Sequence, residues 1–183
     1  MVNSKSRLSD RYGLDRLPFA LLFTIYDSLF TGMLEVSFNS PQCGWMSIGF
    51  DDGASEFHTT TAHAPHELAL PGLLRILTSL LDCESTQNEY LLKWNRDPEE
   101  FDFRFVRYGD GVTLEIYQYP TESRETDERE LVFSHSGSVG ELCGSFAATL
   151  KQLYADRDTD EFEFNWRQPF PFVEFEEFKE RMK

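Results

Sequence analysis

A short segment, Tyr108-Gly109-Asp110-Gly111, joins two stretches of chain in which apolar residues take every second position. The Asp-Gly pair tolerates the positive φ angles that a tight hairpin turn requires. The alternating apolar residues are Phe101, Phe103 and Phe105 before the turn and Val112, Leu114 and Ile116 after it. Because successive side chains of a strand point to opposite faces, each set shares one face. The segment therefore predicts an antiparallel hairpin with one apolar face.

Further strands and helices are indicated by apolar periodicity and turn residues along the rest of the chain. Strands are predicted at Ala20–Tyr26, Met33–Phe38, Trp45–Phe50, Tyr90–Trp94, Leu131–Phe133 and Glu161–Trp166. Helices are predicted at about Pro71–Cys83 and Ser138–Ala155, with a short one from Phe172 to Met182. Ser138 and Glu141 have the spacing of a capping box, which marks the start of the second helix.

Together these elements predict an α+β fold. We expect a mostly antiparallel β-sheet of about six to eight strands, with two main helices packed on one face and a short C-terminal helix. Residues 1–16 are polar and lack the apolar segment of a signal peptide, so we expect a flexible or loosely docked N-terminus there. A single α+β domain is then expected to span residues 17–183, a length that suits one domain.

The balance of charge narrows the classes of partner. Thirty-two Asp and Glu residues stand against 17 Lys and Arg, so the formal net charge is −15. Nucleic-acid binding relies on Lys and Arg at the phosphates, and anionic membranes attract basic surfaces, so we expect neither partner. With 40% hydrophobic and 15% aromatic residues, the chain can build a core that a disordered acidic protein lacks.

The three cysteines, Cys43, Cys83 and Cys143, are odd in number and far apart, which argues against a disulfide framework. We expect three small buried side chains in a cytoplasmic protein. No apolar run approaches the ~20 residues that a membrane-spanning helix needs.

A histidine-rich stretch is the one cluster that invites a metal. Imidazole rings suit zinc, so a small metal-dependent or hydrolytic enzyme that uses His58, His63 and His66 is an alternative function. The spacing matches no familiar closed site, however, and Leu70 stands where the helical zinc motif that begins His-Glu would need its second histidine. We therefore predict loop histidines, with no metal, no cofactor and no catalytic residue.

The second half of the chain has a recognisable order of features: Trp94, Asp97-Pro98, the Tyr108–Gly111 hairpin, the helix Phe146–Tyr154, Trp166 and Phe170-Pro171. This order resembles a loose group of short bacterial proteins, many of them regarded as immunity proteins that neutralise polymorphic, contact-delivered toxins. The resemblance covers roughly residues 70–178, and the acid before the proline is more typically Glu in the group than Asp. It lies in fold elements rather than in catalytic residues, and it implies a protein that acts by binding.

Charge and resemblance lead to the same expectation, a non-catalytic acidic protein that binds another protein. Electrostatic docking favours a basic toxin domain as that partner. The contact residues are expected among exposed acids on turns and on the wet face of a strand: Asp51, Asp52, Glu99, Glu100, Glu161 and Glu163. The carboxylates between Asp97 and Asp102 are expected to be solvated.

Two other interpretations stay open. The acidic surface would also serve solubility alone. Exposed aromatic residues near the C-terminus, such as Phe172 and Phe175, would also serve a homo-oligomer or a structural subunit.

Overall fold

The hairpin that the sequence indicates is the centre of the fold. The structure is a computed structural model that describes residues 32–63, 68–95, 99–121 and 123–183. Strand β5 (Glu100–Tyr108) pairs with β6 (Gly111–Tyr119) in antiparallel register, and Tyr108 lies opposite Gly111. Gly109 takes a left-handed conformation (φ 65°) in the two-residue turn between them. The alternating apolar residues are buried together, as predicted.

Seven strands form two antiparallel sheets in the described part of the chain. The three-stranded sheet has the order β1-β2-β3 and consists of β1 (Glu35–Gln42), β2 (Trp45–Asp51) and β3 (Glu56–Ala62). The four-stranded sheet has the order β4-β5-β6-β7, and its outer strands are β4 (Glu89–Asn95) and β7 (Glu130–Ser138).

Four helices accompany these sheets among the described residues. They are α1 (Ala69–Leu80), α2 (Val139–Asp156), α3 (Phe162–Trp166) and α4 (Phe172–Arg181). Helix α1 packs against β4 and α4, while α2 packs against β1, β6 and β7. The α+β class, the antiparallel strands and the short C-terminal helix are thus confirmed, and residues 32–183 form one compact unit.

Phe50 on β2 lies where both sheets and α2 meet. Its ring centroid is 5.5 Å from Phe103, 5.6 Å from Phe133 and 6.0 Å from Phe146, which come from β5, β7 and α2. Edge-on and tilted ring pairs at these separations add to the free energy already gained by removing apolar surface from water. One aromatic cluster therefore joins the two sheets through their apolar faces.

Helix α2 begins with the predicted capping box and then covers the free edge of β1. The Ser138 side chain accepts from the Glu141 N–H, while the Glu141 carboxylate accepts from the Ser138 N–H. Two turns on, Ser145 Oγ donates to the Leu34 carbonyl (2.5 Å), and the Phe38 N–H donates to Thr149 Oγ1 (2.9 Å). These side chains satisfy backbone groups that an edge strand otherwise offers to other chains.

Two predictions about local structure are wrong. Residues 56–62 form β3 rather than a loop, because Thr59, Thr60 and Thr61 are β-branched and pair with β2. The segment that alternates aromatic and polar residues near position 164 is the helix α3, not a strand. Phe162 and Trp166, four residues apart, are both buried, which is helical spacing.

The cysteines also differ from expectation, since Cys43 and Cys83 are exposed and Cys143 alone is buried. Cys43 stands in the β1–β2 turn with a left-handed φ of 51°, a position that leaves its side chain in solvent. The strand predicted at 20–26 and the flexible stretch predicted for 1–16 lie outside the described residues. Among the helices of the described part, none combines the length and the apolar character of a membrane span.

The hydrogen bonds that cover the β1 edge contribute to the free energy of unfolding. We expect Thr149→Val to lower the free energy of unfolding by about 1–3 kcal/mol, because the half-buried Phe38 N–H loses its acceptor. Thr78→Val is the matched control, since the Thr78 hydroxyl donates to the Leu74 carbonyl of its own helix (2.8 Å) and, within the described residues, to no other element. Urea denaturation of both variants measures the difference. An equal loss in the two variants would show that the contact with β1 has no special weight.

Candidate functional site

The solvent face of the three-stranded sheet carries three carboxylates side by side. Glu35 lies opposite Asp51 across β1 and β2, and Asp51 lies opposite Glu56 across β2 and β3. All three residues are exposed. We call them the carboxylate row. Like charges placed directly opposite destabilise a sheet, so the requirements of the fold do not account for this arrangement.

Little positive charge reaches the carboxylate row from within the described residues. In that part of the chain, Glu35 and Asp51 form no ion pair, and Glu56 pairs with His58 Nε2 at 2.7 Å. Asp51 does accept a backbone hydrogen bond from Gly53 (2.8 Å). The charge of the row is thus available to a cationic partner.

Beyond the carboxylate row, the same face of the sheet carries polar side chains. Gly49, at its middle, lies opposite Ser37 on β1 and His58 on β3. A methyl group at Gly49 would collide with the His58 ring and the Ser37 hydroxyl, so glycine is what lets these side chains close over the strand. The middle of the face is therefore occupied by the His58 ring and the Ser37 hydroxyl, which lie over Gly49.

At the other end of the face lies a groove of about 800 Å³, bounded by the β1–β2 turn and the end of α2. Its lining is mainly hydroxyl, amide and carboxylate: Asn39, Ser40, Ser47, Thr60, Asp156, Asp160 and Asn165, with Phe38 and Trp45 as aromatic walls. Trp45 is 40% exposed. On β2 the groove begins at Ser47, four residues along the strand from Asp51 of the carboxylate row, which is about 13 Å.

The groove is held in shape by α3. The Asn165 carbonyl accepts from the Gly44 N–H (2.8 Å), and the Asn165 side chain donates to the Asp160 carbonyl (3.0 Å). Ser40 Oγ donates to the Asp160 carboxylate. The turn and the helix end are thereby fixed to each other, so the groove exists before any ligand arrives.

Of the six acids predicted to bind a partner, Asp51 alone lies in this face, and Asp52 next to it is buried. Asp52 is 6% exposed, so the expectation that it is an exposed turn residue is wrong. Its Oδ1 accepts from the N–H groups of Ala54 (3.0 Å) and Ser55 (2.8 Å), and its Oδ2 faces His135 Nδ1 at 3.4 Å. The β2–β3 turn is in this way fastened to β7.

Burial by itself raises the pKa of Asp52. The hydrogen bonds from Ser55, Ala54 and His135 outweigh that effect, so the pKa of this carboxyl is lowered overall. Buried carboxylates that accept several N–H bonds behave in this way because the bonds favour the charged form. Within the described residues, neither ring nitrogen of His135 has a Ser or Cys partner, so Asp52 and His135 make a structural link between the sheets.

Glu100, which is half-buried rather than exposed, and the buried Asp102 form a second group together with Arg124. The Arg124 guanidinium donates to both carboxylates, and Tyr119 Oη donates to Asp102 at 2.9 Å. Asp102 is 7% exposed, so the solvated state expected for it is wrong. Glu99 is half-buried and engaged within the fold. These acids fasten the β6–β7 loop to the sheet.

Glu161 and Glu163 are exposed, as expected, but they flank and begin the short helix α3 instead of lining a strand. They lie near the C-terminal aromatic residues and line a separate cleft. Phe172 in that region is 51% exposed, whereas Phe175 is buried at 1%, so the expectation of exposure holds for Phe172 and is wrong for Phe175.

The histidines do not assemble into one site in the described residues. His58 lies on β3 and His63 follows the end of that strand, about 16 Å away by strand geometry. A shared metal would need both imidazoles within bonding distance of one ion. His63 packs edge-on against Trp166 with ring centroids 5.7 Å apart, and His66 lies outside the described residues. No group of three or more His, Cys, Asp or Glu side chains in the described ranges could hold a metal ion.

Cys143 is equally unsuited to nucleophilic chemistry. Burial raises the pKa of its thiol to about 12, so the reactive thiolate is not formed near neutral pH.

Sequence reasoning missed most of the face that the structure assembles. Glu35 and Glu56 could have been predicted from the sequence. Neighbouring side chains of a strand point to opposite faces, so if Val36 and Phe57 point into the core, the residues next to them face solvent. The groove residues Asp156 and Asp160 had no such signal, since a long-range contact between α3 and the β1–β2 turn places them.

Comparison of the chain with protein-family models, with curated proteins and with solved structures finds no match. The function is therefore inferred from the geometry of the site.

The Asp52–His135 link leads to a pH dependence. Because the folded state lowers the pKa of Asp52, its ionised form stabilises the fold above the ordinary value of 3.8, and this contribution is lost as the pH falls below that value. We expect Asp52→Asn to lower the free energy of unfolding by about 1–2 kcal/mol at pH 7, and the gap to narrow towards pH 3. Urea unfolding at several pH values measures both, with Asp51→Asn as the exposed control. A gap independent of pH would contradict the assignment.

Proposed function

We propose that this protein is a non-catalytic binding protein that docks a basic surface of a protein partner on the solvent face of its three-stranded sheet. The carboxylate row carries the proposal, since three exposed acids stand in register there without a Lys or Arg partner among the described residues. Proteins tolerate such locally unfavourable arrangements where function requires them.

The rest of the face suits protein recognition. At its middle the His58 ring and the Ser37 hydroxyl offer polar groups to a partner. The preformed groove adds a concave end with the half-exposed Trp45. Tryptophan is among the residues that contribute most to protein interfaces. The acidic row offers a partner charge, the polar middle offers hydrogen-bonding groups, and Trp45 in the groove offers an anchor.

The net charge of −15 acts at longer range. An excess of one sign steers an oppositely charged partner and raises its association rate, and it repels phosphate-rich ligands. Toxic nucleases carry basic surfaces because they must hold phosphates. An acidic protein that covers such a surface would block the substrate, so an immunity protein for a basic toxin is the specific form of this proposal.

A cytoplasmic location is part of the proposal. Cys43 and Cys83 are unpaired and exposed, and a reducing compartment preserves free thiols of this kind.

Charge reversal in the carboxylate row tests the proposal. The protein to test as the partner is the product of the neighbouring gene, with binding measured by calorimetry between about 50 and 200 mM salt. We expect affinity to fall with salt, and the triple variant Glu35→Lys, Asp51→Lys, Glu56→Lys to weaken binding on the order of 100-fold. The variant keeps the row like-charged, so the stability of the sheet should change little.

The matched control reverses three exposed acids elsewhere, Glu84→Lys, Glu125→Lys and Glu177→Lys, which gives the same net charge. If docking uses the row, this control should lose only the small affinity due to overall charge. Equal losses of affinity in both triple variants would show that binding depends on overall charge and not on the carboxylate row. If the wild type does not bind, the proposed partner is rejected.

A further inference from the structure

A second concave site lies on the opposite side of the α2–α3 connection from the groove. This aromatic cleft has a volume of about 450 Å³ and is walled by the rings of Tyr154, Phe162, Phe164, Phe170 and Phe172. Tyr154 and Phe170 have ring centroids 5.2 Å apart, and Phe162 and Phe170 lie 5.5 Å apart edge-on. The inner rings thus form a packed floor.

The mouth of the cleft exposes apolar surface that the fold does not need there. Phe164 is 68% exposed and Phe172 is 51% exposed, and Val173 beside them is 65% exposed. Phe164 and Phe172 line the cleft and expose apolar surface of the kind that marks binding surfaces, whereas Val173 lies outside the lining. Phe164 points outward because its neighbours Phe162 and Trp166 turn the other face of α3 into the core.

Glu161 and Glu163 stand at the rim of this patch, both exposed and without an ion pair among the described residues. The rings themselves already hold cations. The Arg157 guanidinium lies 4.1 Å from the centre of the Tyr154 ring and pairs with Asp158 at 3.1 Å, and the Arg167 guanidinium lies 5.6 Å from the Phe164 ring. Aromatic faces beside carboxylates attract cations by their ring quadrupoles.

The charges of the chain decide between occupants. A second copy would bring the same acidic rim and a net charge of −15 against this one, and an anionic membrane or a nucleic acid would meet the same repulsion. A basic peptide segment with an apolar side chain meets no such barrier.

We propose that the aromatic cleft binds an apolar side chain flanked by Lys or Arg in a segment of a basic partner protein. The apolar side chain enters between Phe164 and Phe172, and the flanking cations pair with Glu161 and Glu163. This inference deepens the proposed function, because it rests on the same class of partner and adds a second anchor outside the carboxylate row.

The test uses a synthetic 14-residue helical peptide of Leu and Lys as the probe, with a Leu and Glu peptide of the same pattern as its control. Amide chemical shifts of the labelled full chain locate the probe, and a titration gives its affinity. We expect the Leu/Lys peptide to shift residues 157–173 selectively, and Phe172→Ser to weaken its binding roughly tenfold.

Val173→Ser is the matched control, since Val173 is equally exposed but does not line the cleft. Phe164→Ser serves as a second variant if Phe172→Ser does not fold, as judged by its circular dichroism and melting temperature. Glu161→Lys with Glu163→Lys should weaken the Leu/Lys peptide and admit the Leu/Glu peptide.

Several outcomes would overturn the inference. These are shifts confined to the carboxylate row, equal losses in Phe172→Ser and Val173→Ser, and a concentration-dependent dimer in sedimentation that Phe172→Ser abolishes while no peptide binds. Charge reversal of the carboxylate row distinguishes this inference from the proposed docking at the row. Peptide binding that survives this reversal supports the cleft even if docking at the row fails, and loss of peptide binding there assigns the probe to the row.

Discussion

The contact of Phe50 with rings from β5, β7 and α2 is the constraint on which the rest of the structure depends. It joins two sheets that share no backbone hydrogen-bond ladder, so the relation between them is maintained by side-chain packing. The neighbouring buried link between Asp52 and His135 adds a polar connection at the same place. The three-stranded sheet is thereby held with one face inward, and its other face is left to solvent.

The candidate binding face is the reverse side of that packing. Because strand side chains alternate, burying Met46, Ile48 and Phe50 on β2 places Trp45, Ser47, Gly49 and Asp51 on the opposite face. The exposed positions of that face, Trp45 and Asp51, can change without disturbing the core. This face carries the carboxylate row at one end and a groove walled by a tryptophan at the other. These two features distinguish it from an ordinary solvent-exposed sheet face.

How far the sequence predicts the molecule depends on the range of the interactions involved. The Tyr108–Gly111 hairpin and the Ser138 capping box were predictable because their signals lie within a few residues. Helix α3 was not, since aromatic residues at every second position are typical of a strand. The structure instead buries Phe162 and Trp166, four residues apart, and exposes Phe164 between them. The burial of Asp52 and Asp102 depends on His135 and Arg124, which lie 83 and 22 residues away in the chain. No local sequence pattern predicts such contacts.

The cover that α2 provides for β1 has a consequence for synthesis. Leu34 and Ser145, which hydrogen-bond across it, are 111 residues apart in the chain. At ribosomal rates of about 5–20 residues per second, roughly 5–20 s pass between their emergence. During that interval a nascent β1–β3 sheet presents an open edge to neighbouring nascent chains on the same messenger. The tempo of translation between the two segments therefore sets how long this edge stays uncovered.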